Sequence, residues 1–137
     1  MTGVQVTGLE QLGSALDRYS ARSSAAISDV IRLTALAIEA DAIKSIQRGD
    51  KTGATYQRGK VTHQASAAGQ APATDTGKLV SSIRSIIGRG EAYVGTDYDV
   101  GRYLENGTMK IKARPWLRPA RQKNVKLFLS RVKAALR

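Results

Sequence analysis

The sequence predicts an α+β fold: a small antiparallel β-sheet packed against a long helix in the N-terminal half and a C-terminal helix, with a long extended arm or β-hairpin loop. Three observations predict it. Ile27, Val30, Ile31, Thr34, Ile38, Ala42 and Ile46 recur at helical spacing. Residues 84–87 and 92–95 are rich in β-favouring side chains and flank Gly88-Arg-Gly-Glu, a turn sequence. A proline-marked start at Pro115 opens a last amphipathic run that continues to about Leu136.

Taken in order, residues 3–7 alternate and read as a short strand. Leu9, Leu12 and Leu16 then recur at helical spacing as far as Tyr19, with Gly13 weakening the run. Ser23 and Ser24 suit the cap of a second, longer helix from about Ala25 to Gln47, which Gly49 ends. Residues 48–74 form an exposed arm rich in Gly, Ala, Thr, Gln and Ser. An ordered loop of this length is uncommon in a compact domain. Thr55-Tyr-Gln and Val61-Thr-His flank Arg58-Gly-Lys, which suggests a two-stranded ribbon. An isolated ribbon is marginal alone, so the arm is expected to gain its order from a neighbouring subunit. Asp75 or Thr76 is placed to cap a short helix whose buried side is Leu79, Val80 and Ile83. Asp97 is expected to start another helix through Val100, Tyr103 and Leu104, which Asn106-Gly107 terminates. In the last helix, Leu117, Ala120, Val125, Phe128, Leu129, Val132 and Leu136 supply the expected apolar side.

The chain has 137 residues, which fits a single domain over 1–137. Aromatics make up 5%, so the core must come from aliphatic side chains. The absence of cysteine excludes disulfides and thiolate metal sites. The start, Met-Thr-Gly-Val-Gln-Val, reads as no signal peptide, and no apolar run reaches the ~18 residues of a membrane span, so no membrane partner is expected. The net charge is +11 and unevenly spread: Glu105 is the last acid, and ten of the 22 basic residues follow it. Such an imbalance points to an acidic or polyanionic partner.

Nothing comparable points to catalysis. His63 is the sole histidine and lies in a polar segment. The closest pair of acids, Asp97 and Asp99, suits a helix N-terminus. Ser81 and Ser82 lack a histidine base and a Gly-x-Ser-x-Gly turn, and Gly88-Arg-Gly-Glu lacks the Gly-Lys-Ser/Thr of a phosphate loop. The expectation is no enzyme, no cofactor and no metal. Charge alone supports DNA backbone contact, but neither a helix-turn-helix nor interleaved stacking aromatics are apparent.

Four blocks carry a resemblance: Ala71-Pro-Ala-Thr-Asp-Thr-Gly-Lys-Leu with Ser82-Ile83; Tyr93-Val-Gly-Thr; Tyr103-Leu-Glu with Gly107-Thr108; and Ala113-Arg-Pro-Trp-Leu-Arg-Pro-Ala. In this order they resemble the tailed-phage neck and tail-completion family typified by gene product ten of the lambdoid phage HK-ninety-seven. With the arm before them they cover residues 55 to 120, about half the chain. Three positions depart from the family pattern. Trp116 stands where phenylalanine is usual, Asn106 where an apolar residue is usual, and Gly101 where alanine is common.

The resemblance implies a virion structural protein, assembled in the host cytoplasm and located in the neck or tail. It implies a hexameric or dodecameric ring between head and tail that adjoins head-closure or adaptor proteins and tail-terminator or tail-tube proteins. DNA would pass through the lumen without sequence-specific binding. A tail terminator of the same module and a small basic DNA-binding packaging accessory are the alternatives. Expected interface residues are Tyr56, Arg58, Lys60 and His63 on the arm, and Arg121, Lys123, Lys126 and Arg131 on the last helix. Asp75, Thr76, Gly77, Glu105, Gly107, Arg114, Pro115, Trp116 and Arg118 are expected to be structural, with Arg114 or Arg118 pairing with Glu105.

Overall fold

A computed structural model describes residue 5 and residues 7–137. The chain is α+β, with a long N-terminal helix, a C-terminal helix and two small two-stranded antiparallel sheets. The strand expected at residues 3–7 falls largely outside the described residues.

Helix α1, Leu9–Arg48, is a single rod of 40 residues, ~60 Å long at 1.5 Å per residue. The expected break near Ser23 and Ser24 does not occur, and both serines lie inside the helix. Between Tyr19 and Ala25 the chain has neither Pro nor Gly, so nothing there forbids helical torsions, and one continuous helix avoids a second costly nucleation. Beyond α1, strands β1 (Thr55–Arg58) and β2 (Val61–Gln64) pair as a ribbon. Helix α2 (Lys78–Ser82) leads directly into β3 (Ile83–Ile87), which pairs with β4 (Ala92–Thr96) in the register Ile83↔Thr96 to Ile87↔Ala92. Helix α3 (Asp99–Asn106) and helix α4 (Arg118–Ala135) complete the order.

Helix α4 lies antiparallel on α1. Asn124 donates to Asp41 at 2.8 Å, and one helical stretch further on Arg131 donates to Thr34 at 3.2 Å. Hairpin β3–β4 also packs on α1. The core sits where these elements meet: Ala42, Ile46, Ile83, Trp116 and Ala120, flanked by Ile38, Leu79, Leu104 and Leu117. The α1 stripe expected from spacing faces this core, with Val30, Thr34, Ala42 and Ile46 buried.

Helix α4 bears out its expected apolar side only in part: Leu117, Ala120, Phe128 and Val132 are buried or half-buried. Its buried positions are Ala120 and Asn124, whereas Val125, Leu129 and Leu136 are exposed. Ala120 lets the two helices approach closely, and Asn124 needs a buried polar partner, which α1 supplies in Asp41. These requirements set the rotation of α4 and turn most of its large side chains outward.

The 48–74 excursion is held from within the chain at its base, which corrects the expectation that its order comes only from a neighbour. The Lys51 ammonium donates to the carbonyls of Ser45 (3.2 Å) and Ala71 (2.9 Å). The Gln70 side-chain oxygen accepts from the amides of Thr52 (3.0 Å) and Ala67 (2.8 Å). Gly69 donates to Ala113, and Ser66 and Pro72 are buried. The part that projects is the ribbon, whose residues are exposed apart from half-buried His63. Its two-residue loop has Gly59 at φ 63° followed by Lys60 at negative φ, as a type II′ hairpin requires.

Candidate functional site

The four sequence blocks converge on one point. Trp116 is 2% exposed, and its indole N–H donates to the Gly101 carbonyl at 2.9 Å. A Cβ on Gly101 would lie 2.6 Å from Thr96 Cγ2, 2.9 Å from Leu79 Cδ1 and 3.3 Å from Trp116 Cζ2. These neighbours come from α2, β4 and the approach to α4, and Gly101 itself lies on α3. The Thr96 hydroxyl also contacts that of Ser82 at 2.5 Å and accepts from the Tyr98 amide at 3.0 Å. The indole at 116 and the absence of a side chain at 101 are therefore two sides of one packing arrangement.

Glu105 performs a task different from the expected pairing with arginine. Its Oε2 accepts from the amides of Trp116 (2.8 Å) and Leu117 (2.9 Å), and its Oε1 from that of Arg118 (2.9 Å). The carboxylate thus takes up donors that the start of α4 leaves unpaired, at the end of the helix that favours negative charge. Neither Arg114 nor Arg118 is its ion-pair partner among the described residues, and the Arg114 Nε is buried without a hydrogen-bond partner. Pro119, not Pro115, occupies the first turn of α4. Pro115 lies in the connector, where Arg114 N–H donates to the Leu104 carbonyl. Gly107 ends α3 at φ 76°, as the sequence suggests.

Asp75 does not cap α2. Its carboxylate pairs with Arg58, tying the ribbon to the α2 approach. Thr76 accepts from the Lys78 amide at 3.5 Å, a marginal bond, and Gly77 (φ 76°) holds the N-cap position. Asp97 likewise pairs with Arg84 and precedes α3, whose first-turn acid is Asp99. On the ribbon, Tyr56 and His63 are register partners, and their rings stack with centroids 5.6 Å apart. Lys60 is exposed at the loop.

The basic residues of α4 divide. Lys123 pairs with Asp41 at 3.3 Å, and half-buried Arg131 reaches Thr34 and Asn124, so both serve the α1–α4 contact. Asp41 is held below its ordinary pKa, chiefly by the Asn124 hydrogen bond and further by Lys123. Arg121 and Lys126 are exposed. Arg121 borders a cleft of about 320 Å³ between α1, β4 and α4, with Ile38, Tyr93, Leu117 and Phe128 on its walls. A second cleft, about 410 Å³, lies between the arm base, α2 and α3 and is lined by Arg58, Asp75, Leu79 and Tyr98 among others.

Sequence reasoning missed Lys51, Gln70 and Asn124. Asn124 had a signal, an amide inside an otherwise apolar helical pattern. Lys51 and Gln70 had none, because their partners are backbone groups brought near by the fold. Among the described residues no group of three or more His, Asp or Glu side chains is placed to hold a metal ion, and no helix is long and apolar enough to cross a membrane. The chain matches no protein-family model, no curated protein and no solved structure.

Proposed function

We propose that the chain is a virion structural protein of a tailed bacteriophage that forms an oligomeric ring in the neck, around the DNA channel. The observation that carries this reading is the convergence of the four sequence blocks on Trp116 and Gly101. The residues that give the chain its resemblance to phage neck and tail-completion proteins are occupied in holding α2, β4, α3 and α4 together. A motif used in this way belongs to an architecture, not to a reaction. The exposed ribbon and the exposed basic residues of α4 are then surfaces for adjoining neck and tail proteins or for passing DNA. A conduit must let DNA move, and many lumenal cations would hold its phosphates through counterion-release contacts. Protein docking is therefore the better use of most of the charge.

The test is the mass of the purified protein in solution, followed by imaging of the virion neck with the protein labelled. A ring-sized species that also occupies the neck is the expected result. A monomer that binds duplex DNA at nanomolar concentration in physiological salt, with affinity falling steeply as salt rises, would overturn the reading in favour of a packaging accessory.

A further inference from the structure

We infer that the cleft between β4 and α4 is a slot for an extended peptide segment of an adjoining protein, which adds to the free edge of β4 and brings a carboxylate to Arg121. The slot is read from the cleft alone. That the segment belongs to an adjoining neck or tail protein rests on the function proposed above.

The first observation is an unpaired strand edge. Strands β3 and β4 form a sheet of two, so the side of β4 away from β3 has no strand beside it. Among the described residues no hydrogen bond joins the backbone of residues 92–95 to anything but β3. Proteins ordinarily block such an edge with lysine, proline or a bulge. Residues 92–96 hold no charge and no proline, and the register from Ile87↔Ala92 to Ile83↔Thr96 is unbroken.

The second observation is what lies beside that edge. On α1, Thr34 and Asp41 face α4, whereas the Ala35 carbonyl and the Glu39 carboxylate accept from Ser85 of β3. Helical rotation puts Ile31 and Ile38 between these two directions. They floor the 320 Å³ cleft, with Ala92, Tyr93 and Val94 on one side and Phe128 on the other. Successive strand residues point to opposite faces, so three in a row border one cleft along the edge of the strand. A third strand laid here would bond to β4 and set every second side chain on the isoleucine floor. The ribbon β1–β2 has free edges too, but its residues are almost all exposed, so a strand added there would gain little apolar burial.

The third observation is charge. Arg121 borders the same cleft, exposed and without an ion-pair partner among the described residues. Arg118 and Lys126 lie on the same helix, and no acid follows Glu105. A rim of this sign attracts a carboxylate. An apolar floor gives DNA phosphates nothing to bind. A free backbone edge gives nothing to an incoming helix, whose own backbone is already paired. The occupant that fits all three is an extended segment with alternating apolar side chains and an Asp or Glu.

The test is selection of short random peptides, displayed on ribosomes, against the full-length protein. The selected peptides should alternate apolar residues and contain Asp or Glu. One of them, made synthetically, should bind Arg121→Glu at least ~10-fold more weakly than the parent. That variant should fold like the parent, because Arg121 is exposed and an acid near a helix N-terminus suits the dipole. N-methylation of the peptide removes one backbone donor at a time. It should weaken binding by at least ~10-fold at alternate positions and leave those between nearly unchanged. Hydrogen exchange should show new protection at alternate amides within residues 92–96 and none in the ribbon. Selected peptides without acid or alternation, a methylation profile without a period of two, or displacement by duplex DNA would each overturn the slot. A synthetic peptide of this chain's residues 1–8 contains no acid. If it bound as tightly as the selected one, the acidic partner would be overturned in favour of a second copy. The mass of the parent in solution is measured separately. A ring that selects no peptide overturns the slot and leaves the ring reading standing. A monomer that selects acidic, alternating peptides upholds the slot while the ring reading falls.

Discussion

Trp116 and Gly101 form one packing unit, in which the indole donates to the glycine carbonyl and its ring occupies space that a side chain at 101 would restrict. The tightest approach to a Cβ at 101 comes from the Thr96 methyl, at 2.6 Å. Gly101→Ala raises helix propensity by up to ~1 kcal/mol, but overpacking in a tight core costs ~1–3 kcal/mol. Net destabilisation is expected, read from denaturant unfolding. Adding Thr96→Ser removes the methyl and keeps the hydroxyl that contacts Ser82 and Tyr98. The double variant should therefore lose less stability than the sum of the two single changes. Additive losses would show that the methyl is not what requires glycine.

Glu105 holds the start of α4 through three backbone amides. Glu105→Gln leaves one acceptor oxygen where there were two and removes the charge. The expected loss is ~1–3 kcal/mol, in the range of helix caps and of hydrogen bonds to charged groups. Arg118→Gln is the control. Arg118 is exposed and contributes to Glu105 through its backbone, so its side chain should matter by no more than ~0.5 kcal/mol. Equal losses from the two substitutions would restore the side-chain ion pair.

These residues show what was legible in the sequence and what was not. Helix periodicity places the buried stripe of α1, and β-favouring residues around a glycine turn place hairpin β3–β4, because both patterns are local. Glu105 stands out in the sequence, but its partners do not. Charge suggests arginine, whereas geometry presents three amides, and no local pattern records where a helix start points. Pro115 and Pro119 both suit a first helical turn, and only the tertiary position of Glu105 separates them. The two-helix reading of residues 9–47 treated Ser23 and Ser24 as caps. Serine is only mildly unfavourable inside a helix, so its suitability as a cap does not make it one. For α4 the hydropathy pattern holds only in part. Ala120 and Asn124 determine which side is buried, and neither stands out on a hydropathy pattern beside Val125 and Leu129.

Lys51 reaches two backbone carbonyls across 20 residues of sequence, tying Ala71 to the end of α1. Burial lowers its pKa, and Asp50 partly opposes that shift. Lys51→Met keeps the apolar stem and removes the donors, leaving the Ala71 carbonyl unpaired and the Ser45 carbonyl with the Gly49 amide alone. The base of the arm should then open locally while the core remains folded. Limited proteolysis is expected to cut residues 65–74 several times faster than in the parent, with the midpoint of global unfolding lowered by no more than a few degrees. Unchanged cleavage would mean that Gln70 and the Gly69–Ala113 bond suffice to hold the base.

Asp41 is where α1 and α4 exchange charge, and it sets an acid limit on that contact. Its folded pKa lies below the ordinary value of 3.8, with the Asn124 hydrogen bond as the main cause and Lys123 adding to it. A carboxylate with a depressed folded pKa stabilises the fold above its unfolded pKa, and that contribution is lost as pH falls through the folded value. Stability should therefore be flat from neutral pH down to about 5 and decline below about 4. Asp41→Asn preserves an acceptor for Asn124 but removes the charge. It should cost ~1–2 kcal/mol at neutral pH and reduce the acid decline, so that parent and variant converge at low pH. Lys123→Gln should cost ~0.5 kcal/mol or less, because the lysine is largely exposed and its pair is screened. Urea unfolding of the three proteins across this pH range is the measurement. An Asp41→Asn curve parallel to that of the parent at every pH would show that the carboxylate's ionisation does not support the α1–α4 contact.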